Sequence, residues 1–260
     1  MSGSFASIAP VLIGLVVGTV VGLTSMGGGA LLTPALVVLL RIPASVAIGS
    51  DVLIAATMKV FGAGAYALRG QVHWPTVGRL AIGSVPGALL GVAVLNHLPR
   101  VLVDVAVGRA LGVVLLLAAL ATVHRVLRTP APPSDKPAPS LRCTVVIGLV
   151  TGFLVATTSV GSGSILILVL AAFFPLRAHQ LVGTDLAHAL LLLSAATIGH
   201  LASHRVDFTL AASVLAGAIP GVILGARLAG ALPERALRTG LALILFGIGL
   251  RLSIFGAVRG

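Results

Sequence analysis

The chain repeats itself. Residues 14–29 read GLVVGTVVGLTSMGGG, and residues 148–163 read GLVTGFLVATTSVGSG. The second block begins at 148 against 14 for the first, 134 positions on, and that offset holds without a gap for about a hundred residues. Gly49-Ser50-Asp51 returns as Gly183-Thr184-Asp185, Pro86-Gly87 as Pro220-Gly221, and Leu98-Pro99 as Leu232-Pro233. An ungapped duplication of this length requires two units of one architecture. In a highly apolar chain, two such units are how a transporter is built.

Apolarity sets the solvent. Hydrophobic residues make up 58% of the chain and charged residues 9%, with mean hydropathy +1.16. A soluble domain carries roughly 25% charged residues. Too few polar residues remain here to cover a water-facing surface, so lipid surrounds most of the molecule. The net charge of +11 does not indicate nucleic acid. Lys and Arg are scattered singly between apolar runs, with little aromatic content to stack bases, which is the pattern of positive-inside loops. Cys143 is the sole cysteine, which excludes an internal disulfide and a cysteine metal cluster; it is expected to be a small buried apolar residue. The start, MSGSFASIAPVLIG, has no basic region and no clear cleavage site, and reads as the first helix.

Five apolar segments are expected in each half, at about 5–24, 30–40, 46–68, 75–96 and 101–124, then 143–158, 164–174, 180–202, 209–230 and 235–257. Helix is the expected form, because each backbone polar group in lipid needs an internal partner. The stretch TPAPPSDKPAPS at 129–140 holds five prolines and reads as an exposed linker. Arg125, Arg128, Lys136 and Arg142 around it place it in the cytoplasm. The division is therefore a first transmembrane repeat at 1–124, a linker at 125–142 and a second repeat at 143–260. Segment 46–68 reaches roughly 34 Å, enough for a hydrocarbon core of about 30 Å, whereas 30–40 and 164–174 reach only roughly 16 Å. Each half thus reads as a glycine-broken or re-entrant hairpin plus three full spans, about eight transmembrane segments in all. The distribution of Lys and Arg favours inverted repeats over parallel ones.

The breaks are the first candidate site. After Thr24-Ser25-Met26-Gly27-Gly28-Gly29 a short helix starts, so free N–H groups and the positive end of its dipole face the break. That is the physics of an anion site. Ser25, Gly27, Gly28, Gly29 and Thr33 are its residues, matched by Ser159, Gly161, Ser162, Gly163 and Ser164. The plainer alternative is close packing of helices by small residues. Asp51 and Asp185 sit at equivalent places near the starts of long apolar helices, where a carboxylate can carry a coupling proton or simply cap the helix. Lys59 lies deep in an apolar segment and has no counterpart, since Leu193 takes its place; it can meet an anion, snorkel, or pair with Asp51. His188 and His200 lie within one span as core residues or as proton or metal groups, and His188 joins the coupling candidates. Asp185, His188 and His200 together frame an alternative reading as a metal or cation permease. Arg100 and Asp104 have the spacing of a helical ion pair. No Ser/His/Asp constellation, HExxH, P-loop or CxxC occurs, so the residues indicate no catalysis, metal or cofactor. A membrane enzyme or assembly factor that uses the same cavity without transport is the other class to test.

In this ordered set the chain resembles the sulfite exporter TauE/SafE family. The matching residues are Gly14, Gly18, Gly27-Gly28-Gly29, Pro34, Ala47-Ile48-Gly49-Ser50 and Gly83 through Gly91, then Gly148, Gly152, Gly161, Gly163, Val182-Gly183-Thr184-Asp185 and Gly217 through Gly225. Val72-His73-Trp74 and Val206-Asp207-Phe208 stand where that family usually has V-D-W. The resemblance implies a multi-pass permease of the bacterial inner (plasma) membrane, moving a small anion such as sulfite or an organosulfonate, and it leaves room for a homo-oligomer. Thr24-Ser25-Met26 in the first break and Ser162 in the second depart from the family pattern.

Overall fold

The computed structural model describes residues 2–24, 28–127, 139–161, 163, 165–228 and 234–255. Ser25, Gly27, Ser162 and Ser164 lie outside the described residues, as does most of the linker, including Arg128 and Lys136. Ten helices follow in order: α1 (Ser2–Thr24), α2 (Gly29–Leu39), α3 (Ala44–Leu68), α4 (Trp74–His97), α5 (Arg100–Leu127), α6 (Leu141–Thr158), α7 (Ile165–Phe173), α8 (Ala178–Ala202), α9 (Phe208–Leu228) and α10 (Glu234–Phe255). They fall on the ten expected segments. The two short ones are α2, with 11 residues, and α7, with 9. Six helices among the described residues are long and apolar enough to cross a membrane: α3, α4, α5, α6, α8 and α9. Large apolar side chains such as Leu12, Val16, Leu117, Leu120, Ile198 and Leu243 stand exposed on the outside, as in a protein whose solvent is lipid.

Glycine decides which helices meet. α1 lies along α9 and α4 along α6, backbone against backbone. A Cβ at Gly14 would fall 2.1 Å from the carbonyl oxygen of Val214, and one at Gly18 would fall 2.4 Å from that of Ala218. In the other pair, a Cβ at Gly148 would fall 2.3 Å from the Leu80 carbonyl oxygen, and one at Gly152 would fall 2.1 Å from that of Ser84. These contacts are the same pair of contacts shifted by 134 residues. In lipid, where apolar side chains gain nothing by leaving the solvent, close backbone approach is a main source of helix association.

α3 and α8 cross at the centre and run antiparallel. Gly49, near the start of α3, lies against the Arg205 carbonyl after the end of α8, and Gly183, near the start of α8, lies against the Gln71 carbonyl after the end of α3. Each crossing is pinned by a hydroxyl. Ser50 Oγ accepts from the Asp207 N–H at 3.0 Å, and Thr184 Oγ1 accepts from the His73 N–H at 3.0 Å. Both helices end in a left-handed residue, Gly70 (φ 65°) after α3 and His204 (φ 51°) after α8. His204 adopts there a conformation that costs a side chain roughly 1 kcal/mol.

Candidate functional site

Asp51 and Asp185 are not caps. α3 begins at Ala44 and α8 at Ala178, so each aspartate stands about two turns inside its helix. Asp51 is fully buried, and Thr33 of α2 donates its hydroxyl to Asp51 Oδ2. The Ser159 hydroxyl lies beside the same carboxylate without hydrogen-bond geometry. Asp51 Oδ1 and Ser159 Oγ have no hydrogen-bond partner among the described residues. Ser159 ends α6 in a left-handed conformation (φ 59°), and a Cβ at Gly29 would fall 2.1 Å from its carbonyl oxygen. The first glycine break and the second therefore touch, at Gly29 and Ser159, directly over Asp51.

Asp185 is 4% exposed and lines a cavity of about 660 Å³. Gly28 and Gly163, one from each break, form part of its wall, together with Lys59, Thr57 and Tyr66 of α3. The rest is apolar, supplied largely by Leu186 of α8 and by Leu215, Ile219, Val222 and Ile223 of α9. Asp185 of α8, and not only its own helix, supplies a charge that acts on Lys59. Lys59 and Asp185 thus line one largely apolar chamber. The Thr57 hydroxyl is already committed to the Leu53 carbonyl at 2.9 Å. A Cβ at Gly28 would meet only Val21 at 3.6 Å, so this wall has room that the Gly29 contact lacks.

The remaining candidates divide. Gly28, Gly163, Lys59 and Asp185 share the cavity, while Gly29, Thr33, Ser159 and Asp51 form the packed polar knot beside it. Gly161 is buried, and its carbonyl accepts from the Leu166 N–H at the start of α7. His188 is not in the cavity wall; its Nε2 lies 2.8 Å from Ser84 Oγ of α4. His200 Nε2 donates to the Ala156 carbonyl at 2.9 Å. Both imidazoles therefore tie α8 to its neighbours, and among the described residues no three His, Cys, Asp or Glu side chains gather to hold a metal. Asp104 turns to α3, where its Oδ1 accepts the Ser45 N–H at 3.1 Å and satisfies the free start of that helix. Cys143, expected to be buried, is exposed near the start of α6. Sequence reasoning missed the α9 wall and Tyr66; the only available signal was that they stand near the offset glycines.

The model of the family described as sulfite exporter TauE/SafE matches residues 11–252. The chain is similar to the probable membrane transporter protein YjnA of Bacillus subtilis, with 38% identity over 95% of this chain and 99% of the relative. It is also similar to the probable membrane transporter protein YdhB of the same species, at 23% identity over 90% of this chain and 94% of the relative. A third relative, the probable membrane transporter protein y4hK of Sinorhizobium fredii, is 33% identical over 70% of this chain and 72% of its own length. No solved structure matches the chain. This helical membrane protein, with a cavity walled by both glycine breaks and matched by the family model from residue 11 to 252, belongs to the sulfite exporter TauE/SafE family of membrane transporters and resides as a multi-pass protein in the bacterial plasma membrane.

Proposed function

We propose that the protein is a secondary transporter of a small anion of the sulfite or organosulfonate class, with Lys59 as the anion's cationic contact and Asp185 as its coupling carboxylate. The observation that carries this reading is the meeting of Lys59 and Asp185 in a cavity bounded by Gly28 and Gly163. An anion that takes Lys59 as its counter-ion displaces Asp185. A carboxylate left alone in an apolar chamber is costly unless it binds a proton. Substrate entry and proton uptake are then linked by competition for one ammonium group. The backbone of Gly28, at the start of α2, offers the approach that a side chain would block.

The architecture that supports this is two inverted repeats, 1–124 and 143–260, joined by a cytoplasmic linker and crossing the membrane about eight times. The antiparallel crossing of α3 and α8, which stand 134 residues apart, supports inversion over parallel repeats. The test is flux in proteoliposomes. Purified protein is expected to move sulfite or a small sulfonate down its gradient, faster at low pH on the side of entry. Asp185→Asn is expected to abolish that pH dependence. A protein that moves none of these anions contradicts the reading.

A further inference from the structure

The cavity occupies one half of a symmetric scaffold, and its mirror image is filled. Shifting its lining by 134 residues gives the side chains that would line an equivalent chamber around Asp51. Gly62, Tyr66, Val182 and Ala226 line the present cavity. Their counterparts are Ala196, His200, Ile48 and Val92, which are 0%, 0%, 0% and 3% exposed. The helices show the same asymmetry. α8 packs closely along α4, where Gly199 lies against Val92, whereas the equivalent pair, α3 and α9, touches only briefly. The gap between α3 and α9 is the cavity, and the matching gap between α8 and α4 is shut.

Because α3 and α8 are antiparallel, the two positions lie toward opposite ends of the molecule. The present cavity lies where α1, α3 and α9 end, and its mirror lies where α6, α8 and α4 end. A scaffold whose glycine contacts are equivalent in both halves can hold the open arrangement in either half. We propose that the residues packed around Asp51 form a second substrate-facing surface, lined by Thr33, Ala88, Val92, Ala196 and His200, which opens on the opposite face as the Lys59 cavity closes. This rests on the transporter reading above. It adds residues to the transport path that are buried in the present arrangement, and it assigns Asp51 and Thr33 to the second face. The two faces differ in chemistry, because Lys59 has Leu193 as its counterpart. The second face therefore releases an anion that the first face holds.

Cysteine accessibility tests this. In a Cys143→Ser background, Gly62→Cys and Val222→Cys report the present cavity, while Ala196→Cys and Ala88→Cys report its mirror. Each variant is first checked for flux, and a charged, membrane-impermeant maleimide is then added from either side of oriented vesicles. Positions 62 and 222 are expected to react from one face only, positions 196 and 88 from the opposite face only, and modification of either pair is expected to suppress reaction at the other. The two mirror positions are read separately, so loss of one variant to misfolding leaves the other. Silence at both 88 and 196 from both faces in variants that still transport overturns the proposal, as does reaction of all four from the same face. The reading it rests on fails differently, by absence of anion flux from the unmodified protein whatever the cysteines do.

Discussion

Asp51 and Asp185 occupy the same place in two copies of one sequence, yet they live in different surroundings. Around Asp51 the hydroxyl of Thr33 donates to the carboxylate, Ser159 closes over it, and aliphatic side chains fill the rest. Around Asp185 the position of Thr33 is taken by Ile167, and the neighbour is the ammonium of Lys59 across an open chamber. The same backbone thus supports a carboxylate satisfied by a hydroxyl and one answered by a charge. The two surroundings differ at few positions: Lys59 stands where the other half has Leu193, and Thr33 where it has Ile167.

The contrast can be broken most severely at the contact between the breaks. Gly29→Ala places a methyl group 2.1 Å from the Ser159 carbonyl oxygen, and is expected to cost more than the ~1–3 kcal/mol of ordinary overpacking and to leave little folded protein in detergent. Gly28→Ala, with only Val21 at 3.6 Å, is expected to fold normally, which thermal unfolding of the two variants side by side will show. Next in size is Lys59→Met, which keeps the length of the side chain and removes the charge. Loss of a charge-assisted contact worth about 1.5–3 kcal/mol predicts a tenfold to hundredfold fall in flux with the fold retained. Thr33→Val leaves the buried Asp51 carboxylate without its donor, and is expected to lower stability by about 1–3 kcal/mol, whereas Ile167→Val in the other half should cost less. The smallest effect is expected from His204→Gly. Gly70 already serves the equivalent turn, so relief of the left-handed side chain should raise stability by up to about 1 kcal/mol, read as a small rise in Tm.

Much of this frame was legible in the sequence, because it rests on local and periodic signals. The ten helices follow from apolar runs punctuated by Gly and Pro, and the short lengths of α2 and α7 pointed to the region where the breaks meet. What was not legible depends on packing between distant segments. Ser-Asp and Thr-Asp read as helix caps, but α3 and α8 each begin several residues earlier, so the aspartates are interior. Lys59 and Asp51 share a spacing on one helix, yet a charge that acts on Lys59 comes from Asp185 of α8, because the antiparallel crossing brings the start of α8 to the second half of α3. Arg100 and Asp104 suggested a local pair; the Arg100 side chain lies outside the described residues, and Asp104 also serves the start of α3. The cavity opens where α3 and α9 stand apart while α8 packs closely along α4, and no local pattern records those distances.

The exchange of glycine contacts has a consequence for how the chain assembles. α1 lies against α9 and α4 against α6, so the groove that receives each first helix belongs to the opposite half of the chain. A lone half would leave its glycine faces bare in the bilayer. The two halves are therefore expected to fold as one unit and not as two separable domains.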